Sequence, residues 1–233
     1  MEKVITNLEF YKSMTTFSPI TLECSVCDEI FESSEIGSCG YATRRTDFRP
    51  NYWGFNPVNY FYHLCPNCGF CAPKEIYKGK FENSVDKLNL RRELDRLKPI
   101  EEVTLSKKVE RAMICLEIAN KIDIADLNDL NLANNWLEAF WWAETEEEAK
   151  RFGEKTLRYY KLAFEKDEIP EAEKITTKYL IGEINRRLGK TEIATKFFDE
   201  VISLTENIKD LKDIYNLTLQ QKSNPQENIK VKD

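Results

Sequence analysis

The sequence predicts an α+β chain of two unequal modules, a small β module followed by an all-α one. Three observations predict it. Two Cys-x-x-Cys pairs, Cys24-Ser25-Val26-Cys27 and Cys65-Pro66-Asn67-Cys68, stand in irregular, aromatic-rich sequence. From about residue 83 the apolar residues stop alternating and recur at three and four, the period of a helix. The 233 residues also carry enough apolar side chains to bury a sizeable core. The modules fall at residues 1–82 and 83–222, with a tail over 223–233 expected to fray.

Four thiolates in two pairs ask for one zinc ion, held by Cys24, Cys27, Cys65 and Cys68. Asp28 follows the first pair and Gly69 the second, where a positive-φ turn aims backbone N–H groups at sulfur. With all four positions filled by protein no place is left for substrate, so the metal is structural and replaces a hydrophobic core. The 37 residues between Cys27 and Cys65 exceed the usual spacing and have to fold on their own account.

Around the pairs, residues 1–20 carry apolar positions suited to a short helix that Ser18-Pro19 ends. Thr21–Cys24 and Glu29–Glu32 alternate as a hairpin around the first pair. Tyr60–Leu64 reads as an aromatic strand into Cys65, with Phe70 leaving on the far side, so two hairpins clamp the ion. The intervening insert crowds Phe48, Tyr52, Trp53, Phe55 and Tyr60 around Arg44, Arg45, Asp47 and Arg49. It reads either as large rings burying area in a small module or as a recognition face, with Arg44, Arg45, Asp47, Tyr52 and Trp53 as its binding candidates.

Three cysteines and the single histidine remain. Cys71 extends the second pair to Cys65-x-x-Cys68-x-x-Cys71, a beginning of iron–sulfur spacing without the fourth ligand nearby. Cys115 falls on an apolar helix face as a small buried hydrophobe, and Cys39 lies in a Gly-Ser-Cys-Gly turn as a spare thiol. His63, two residues before Cys65, reads as a polar strand residue beside the site and not as a ligand.

In the helical module Val109, Ala112, Met113, Leu116 and Ala119 form one face, and Ala133, Trp136, Leu137 and Phe140 another. Phe152, Thr156, Tyr160 and Ala163 follow, then a helix started at Pro170 and another capped by Thr191. Gly182-Glu183-Ile184, Leu188-Gly189, Ala194 and Phe198 fall at the spacing of a tetratricopeptide helix pair, with Asn185 in place of the usual aromatic; such pairs either only pack together or stack into an array whose concave face binds peptides or proteins.

A net charge of −6 and a pI near 5.2 argue against general affinity for nucleic acid or anionic membrane. No signal peptide or apolar span is legible, which points to the cytoplasm, where cysteines stay reduced and favour metal over disulfides. No phosphate loop, acid–base pair or open metal site is legible either.

Taken together, Cys24-x-x-Cys27, the run Asp47-Phe48-Arg49-Pro50-x-Tyr52-x-Gly54-x-Asn56-Pro57-x-x-Tyr60, the second pair with Gly69-Phe70, and Ala133-x-x-Trp136-Leu137 resemble the bacterial domain of unknown function family 2225. The resemblance implies a cytosolic bacterial protein with a zinc-ribbon-like head and a tetratricopeptide-like tail, and it supplies no activity. The chain departs from the family's pattern at Cys39 and at Cys71, where similar proteins carry Ala. The function expected from the residues is a non-enzymatic, zinc-stabilised adaptor for a protein or peptide. The alternative is a zinc-ribbon binder of RNA or single-stranded nucleic acid, with Arg44, Arg45 and Arg49 set against unpaired bases.

Overall fold

A computed structural model of the chain describes residues 16–78 and 84–229. Contacts divide the chain into two units, Met1–Tyr41 with Tyr52–Leu127, and Ala42–Asn51 with Asn128–Asp233. The boundary expected between residues 82 and 83 lies outside the described residues. The helices beyond it group with the cysteine-bearing unit, because one of them covers the second hairpin.

In the first unit, β1 (Thr16–Glu23) pairs antiparallel with β2 (Ile30–Ser38), and the first cysteine pair is the connection between them. The strand begins where the sequence suggested the end of a helix. Thr16–Ser18 pair with Glu35–Ser38, with a register shift between Thr16 and Phe17, and Pro19 is tolerated because a two-stranded sheet has only edges. The remainder of the expected N-terminal helix lies outside the described residues. Two short strands, β3 (Tyr41–Arg44) and β4 (Pro50–Tyr52), pair next, and their residues 42–51 belong to the second unit.

The expected aromatic strand over 60–64 is shortened: Tyr60 ends a 3-10 turn, Pro57–Tyr60, capped by Asn56 through the Val58 N–H at 3.1 Å, and Phe61 and Tyr62 follow in irregular backbone. Proline at the first position of that turn supplies the fixed φ a helical start needs. Only His63–Leu64 remains extended, as β5, and it pairs antiparallel with β6 (Cys71–Ala72) across the second cysteine pair. Helix α1 (Lys74–Lys78) follows, then α2 (Ser84–Leu94) and α3 (Leu105–Lys121). Thr104 caps α3, whose buried face includes Val109, Ala112, Met113, Cys115 and Ala119, and this face lies on β6.

The second unit is a run of helical hairpins. Asn128 and Thr145 start α4 (Asp129–Trp141) and α5 (Glu146–Glu165) with reciprocal capping boxes, and the two pack together through Trp136 and Phe152. Next come α6 (Glu171–Arg187) and α7 (Thr191–Thr205), then a 3-10 turn and α8 (Lys212–Ser223). Thr191 opens α7 but caps nothing, since the capping position is Lys190 and no side chain bonds there. Gly182 lets α6 and α7 approach: a Cβ there would sit 2.8 Å from the Phe198 ring. Tyr179, Ala194, Phe198 and Val201 form the core of this pair, with Ile214 and Leu217 of α8 packed on it.

Of the tail expected to fray, residues 223–229 are described and 230–233 lie outside the described residues. The Thr46 N–H donates to Glu227 O at 2.9 Å and the Ile229 N–H to Arg44 O at 2.9 Å, which makes one isolated antiparallel bridge, Arg45 with Asn228, at the end of β3. Among the described residues no helix is long and apolar enough to cross a membrane.

Candidate metal centre

Each hairpin carries its cysteines on a turn of the same build. The Asp28 N–H donates to Cys24 O at 2.9 Å and the Cys24 N–H to Glu29 O at 2.8 Å. In the second turn Gly69 donates to Cys65 O at 3.0 Å and Cys65 to Phe70 O at 2.8 Å. Both turns close through a left-handed residue, Asp28 at φ 58° and Gly69 at φ 69°. Short side chains that bond locally and glycine are the residues that adopt this backbone cheaply.

The two turns bring Cys24, Cys27, Cys65 and Cys68 together, every sulfur within 4.8 Å of the other three. Cys24 and Cys68 Sγ lie 3.6 Å apart, as do those of Cys27 and Cys65. A disulfide would need about 2.05 Å. A tetrahedral thiolate site with metal–sulfur bonds of about 2.3 Å has sulfur–sulfur edges of about 3.8 Å, which these distances match.

Four sulfurs this close cannot all ionise unaided. Hydrogen bonds from Cys24 and Cys68 hold the Cys65 thiol down to about 2. Its bond to Cys65 pushes the Cys24 thiol up to about 12, and bonds to Cys24 and Cys65 push Cys68 up as well. A cation in the cage takes the place of those protons and permits four thiolates. The donor set therefore fits a metal ion, with no position left open.

The surroundings fix the cage without joining it. Asn67 Nδ2 donates to Cys27 Sγ at 3.5 Å. Buried Ser25 sends its hydroxyl toward Ile76 O and Tyr77 O, at 3.3 and 3.4 Å, tying the first turn to the end of α1. The Tyr77 hydroxyl lies 2.6 Å from His63 O and 2.8 Å from Phe70 O, bridging the two strands of the second hairpin. Arg111 of α3, itself buried, points its guanidinium at Gly69 O and Lys98 O.

His63 is buried with its Nδ1 2.8 Å from Ser33 Oγ, and burial, aided by nearby Lys108, lowers its pKa to about 4. Cys71 and Cys115 are both fully buried, Cys71 N–H donating to Cys115 Sγ at 3.4 Å, and Cys39 is exposed. Among the described residues none of these four enters the cysteine cluster.

The insert is divided between the two units. Ala42–Asn51 belong to the helical unit, whereas Tyr52 and Trp53 belong to the cysteine unit. There the Tyr52 ring meets Tyr41 and Phe61 edge-on, with centroids 6.4 Å from each, and the Trp53 ring lies against Gly40. In the helical unit Asp47 is fully buried and ion-paired with Arg45, and Arg187 Nε stands 3.6 Å from its Oδ2. Arg49 donates to Trp141 O at 3.2 Å and lies over the Trp142 ring, while Arg44 O accepts from Ile229.

The residue that sequence reasoning missed is Glu183. Wholly buried on α6, it accepts from Thr46 Oγ1, Arg186 and Arg187, each at 2.8 Å, and from Gln221 Nε2 at 3.1 Å. A carboxylate one turn from Tyr179 on a buried helix face was the available signal, because a charge there needs partners from elsewhere in the chain.

Among known proteins, a family model described as an uncharacterized protein conserved in bacteria matches residues 18–224. No curated protein and no solved structure matches the chain.

Proposed function

The chain belongs to the bacterial family DUF2225, and from the closed four-cysteine cage we propose that it is a non-enzymatic, zinc-stabilised adaptor that holds a protein or peptide partner. Four thiolates in a tetrahedral cage suit zinc, and a filled coordination shell supplies structure in place of Lewis-acid catalysis. The helical hairpins, packed through small residues such as Gly182 as tetratricopeptide pairs are, supply the extended surface an adaptor needs. Reduced, metal-loaded thiols suit the cytoplasm.

The experiment is purification of the full chain from bacterial cells, with elemental analysis and identification of whatever co-elutes. About one zinc per chain, absent from Cys68→Ser, together with a protein at defined stoichiometry, supports the reading. Iron with visible cluster absorbance overturns the metal assignment, and co-eluting nucleic acid overturns the partner class.

A further inference from the structure

The hairpin tip Arg45–Arg49 is held by the helical unit as a ligand is held. Its backbone carbonyls are read by helix side chains: the Tyr179 hydroxyl donates to Thr46 O at 2.8 Å and Trp141 Nε1 to Asp47 O at 3.1 Å. The Asp47 carboxylate is buried against Arg45 and Arg187, and the Phe48 ring packs on Tyr179 with centroids 5.5 Å apart. The tip is a tight turn, closed by Phe48 N–H to Arg45 O at 2.9 Å and Arg45 N–H to Arg49 O at 2.8 Å. Its third loop residue must take a left-handed backbone, a place usually given to glycine; here it is Phe48, at φ 69°. The backbone cost of a large ring at this position is offset by its packing on Tyr179.

The residues that flank the excursion 42–51 carrying this tip, Tyr41 and Tyr52, belong to the cysteine-bearing unit. A segment tethered at both ends meets its seat at an effective concentration of the order of mM, which a free competitor does not match. If zinc holds that unit together, loss of the ion lengthens the tether and lowers this concentration.

We propose that the Tyr179–Glu183 face of α6 is a receptor for a tight turn bearing Asp followed by an aromatic residue, that the chain's own hairpin tip is its resident ligand, and that zinc in the cysteine cage keeps it seated. This inference rests on the adaptor reading and names the partner's chemistry: a turn with a buried carboxylate and a ring. While zinc is bound the face is filled in cis, and metal loss opens it to a partner.

The test is hydrogen exchange of the full chain over residues 175–187, zinc-loaded and chelated, with and without a cyclic peptide carrying Thr43–Asn51. Chelation should lower protection on α6 at least tenfold, and the peptide at millimolar concentration should restore it, whereas its Asp47→Asn, Phe48→Ala version should not. Unchanged protection after zinc has left overturns the zinc coupling, and protection lost but not restored overturns the receptor. Should the chelated chain aggregate, zinc-loaded Phe48→Ala gives the same readings with the tip weakened in place: it should bind the cyclic peptide at least tenfold more tightly than the unaltered chain. Equal binding, or loss of the helices in that variant, marks the tip as core and overturns the inference. Elemental analysis of the same samples keeps these outcomes separate from failure of the zinc assignment itself.

Discussion

Asp28 and Gly69 occupy the same station on two unrelated stretches of chain, each the left-handed residue that closes a turn onto the carbonyl of the first cysteine of its pair. Their tolerance to exchange should differ. At Gly69 an added Cβ takes on the left-handed penalty of about 1–2 kcal/mol and comes within 3.0 Å of Arg111 Nη1. Asp28→Gly relieves backbone strain and gives up one ion pair with Lys87, on a carboxylate whose side chain is 64% exposed. Chemical denaturation of the metal-loaded protein should show Gly69→Ala destabilised by at least about 1 kcal/mol and Asp28→Gly within about 0.5 kcal/mol of the parent.

The three cysteines outside the cage should separate by reactivity. Cys39 is exposed, whereas burial pushes the Cys115 thiol up to about 12 and raises that of Cys71 as well. Maleimide near neutral pH should modify Cys39 quickly and leave the buried pair intact until the protein unfolds. The sign of the pH dependence follows. A thiol whose folded pKa is raised stays protonated in the folded state, so its contribution is full below the ordinary thiol pKa of 9.0 and is lost as pH rises toward about 12. A stability profile that stays flat from 9 to 12 in both the parent and Cys115→Ala would contradict this.

What the sequence disclosed was local. Cys24-x-x-Cys27 and Cys65-x-x-Cys68 are legible because both ligands of a pair lie within one turn, and the helical faces of α3 to α7 are legible because their period is set by neighbours three and four residues apart. The excursion of residues 42–51 was not, since Thr46 finds Glu183 at a separation of 137 residues and no periodicity records that. Arg45 and Asp47 read as binding candidates for the same reason: charge in a sequence does not show whether its counter-charge lies across the surface or inside, as it does for buried Asp47. The order at Glu227–Ile229 escaped notice likewise, being supplied by β3 and not by the polar tail itself.

Glu183 should be the costliest single carboxylate in the helical unit to remove. Its side chain has no exposure, and it satisfies donors from Thr46, Arg186, Arg187 and Gln221. Glu183→Ala leaves those donors without their shared acceptor and two guanidiniums short of charge, a loss of roughly 3–5 kcal/mol for a broken buried pair. Glu183→Gln keeps one acceptor and should lose less. Urea unfolding followed by helical circular dichroism, with zinc saturating, orders the three proteins, and a Glu183→Ala midpoint equal to the parent's would show the network to be dispensable.

Binding to DNA or RNA should be weak or absent. Phosphate recognition requires several cations that are clustered, accessible and free to release counterions, on a chain that here carries a net charge of −6. Two of the arginines that make the insert look basic are already engaged, Arg45 with Asp47 and Arg49 with Trp141 O and the Trp142 ring. Arg187, nearest to them in the helical unit, is paired with Glu183 and Glu227. Drawing Arg45 or Arg187 to a phosphate would leave a buried carboxylate, Asp47 or Glu183, uncompensated, a cost that a single solvent-exposed phosphate contact does not return. Titration of labelled single-stranded RNA and DNA near physiological salt should therefore show no binding tighter than about 10⁻⁴ M, the upper range for non-specific contacts. Micromolar binding that falls with salt and is lost on replacing Arg44 and Arg45 would displace the adaptor reading in favour of a nucleic-acid binder.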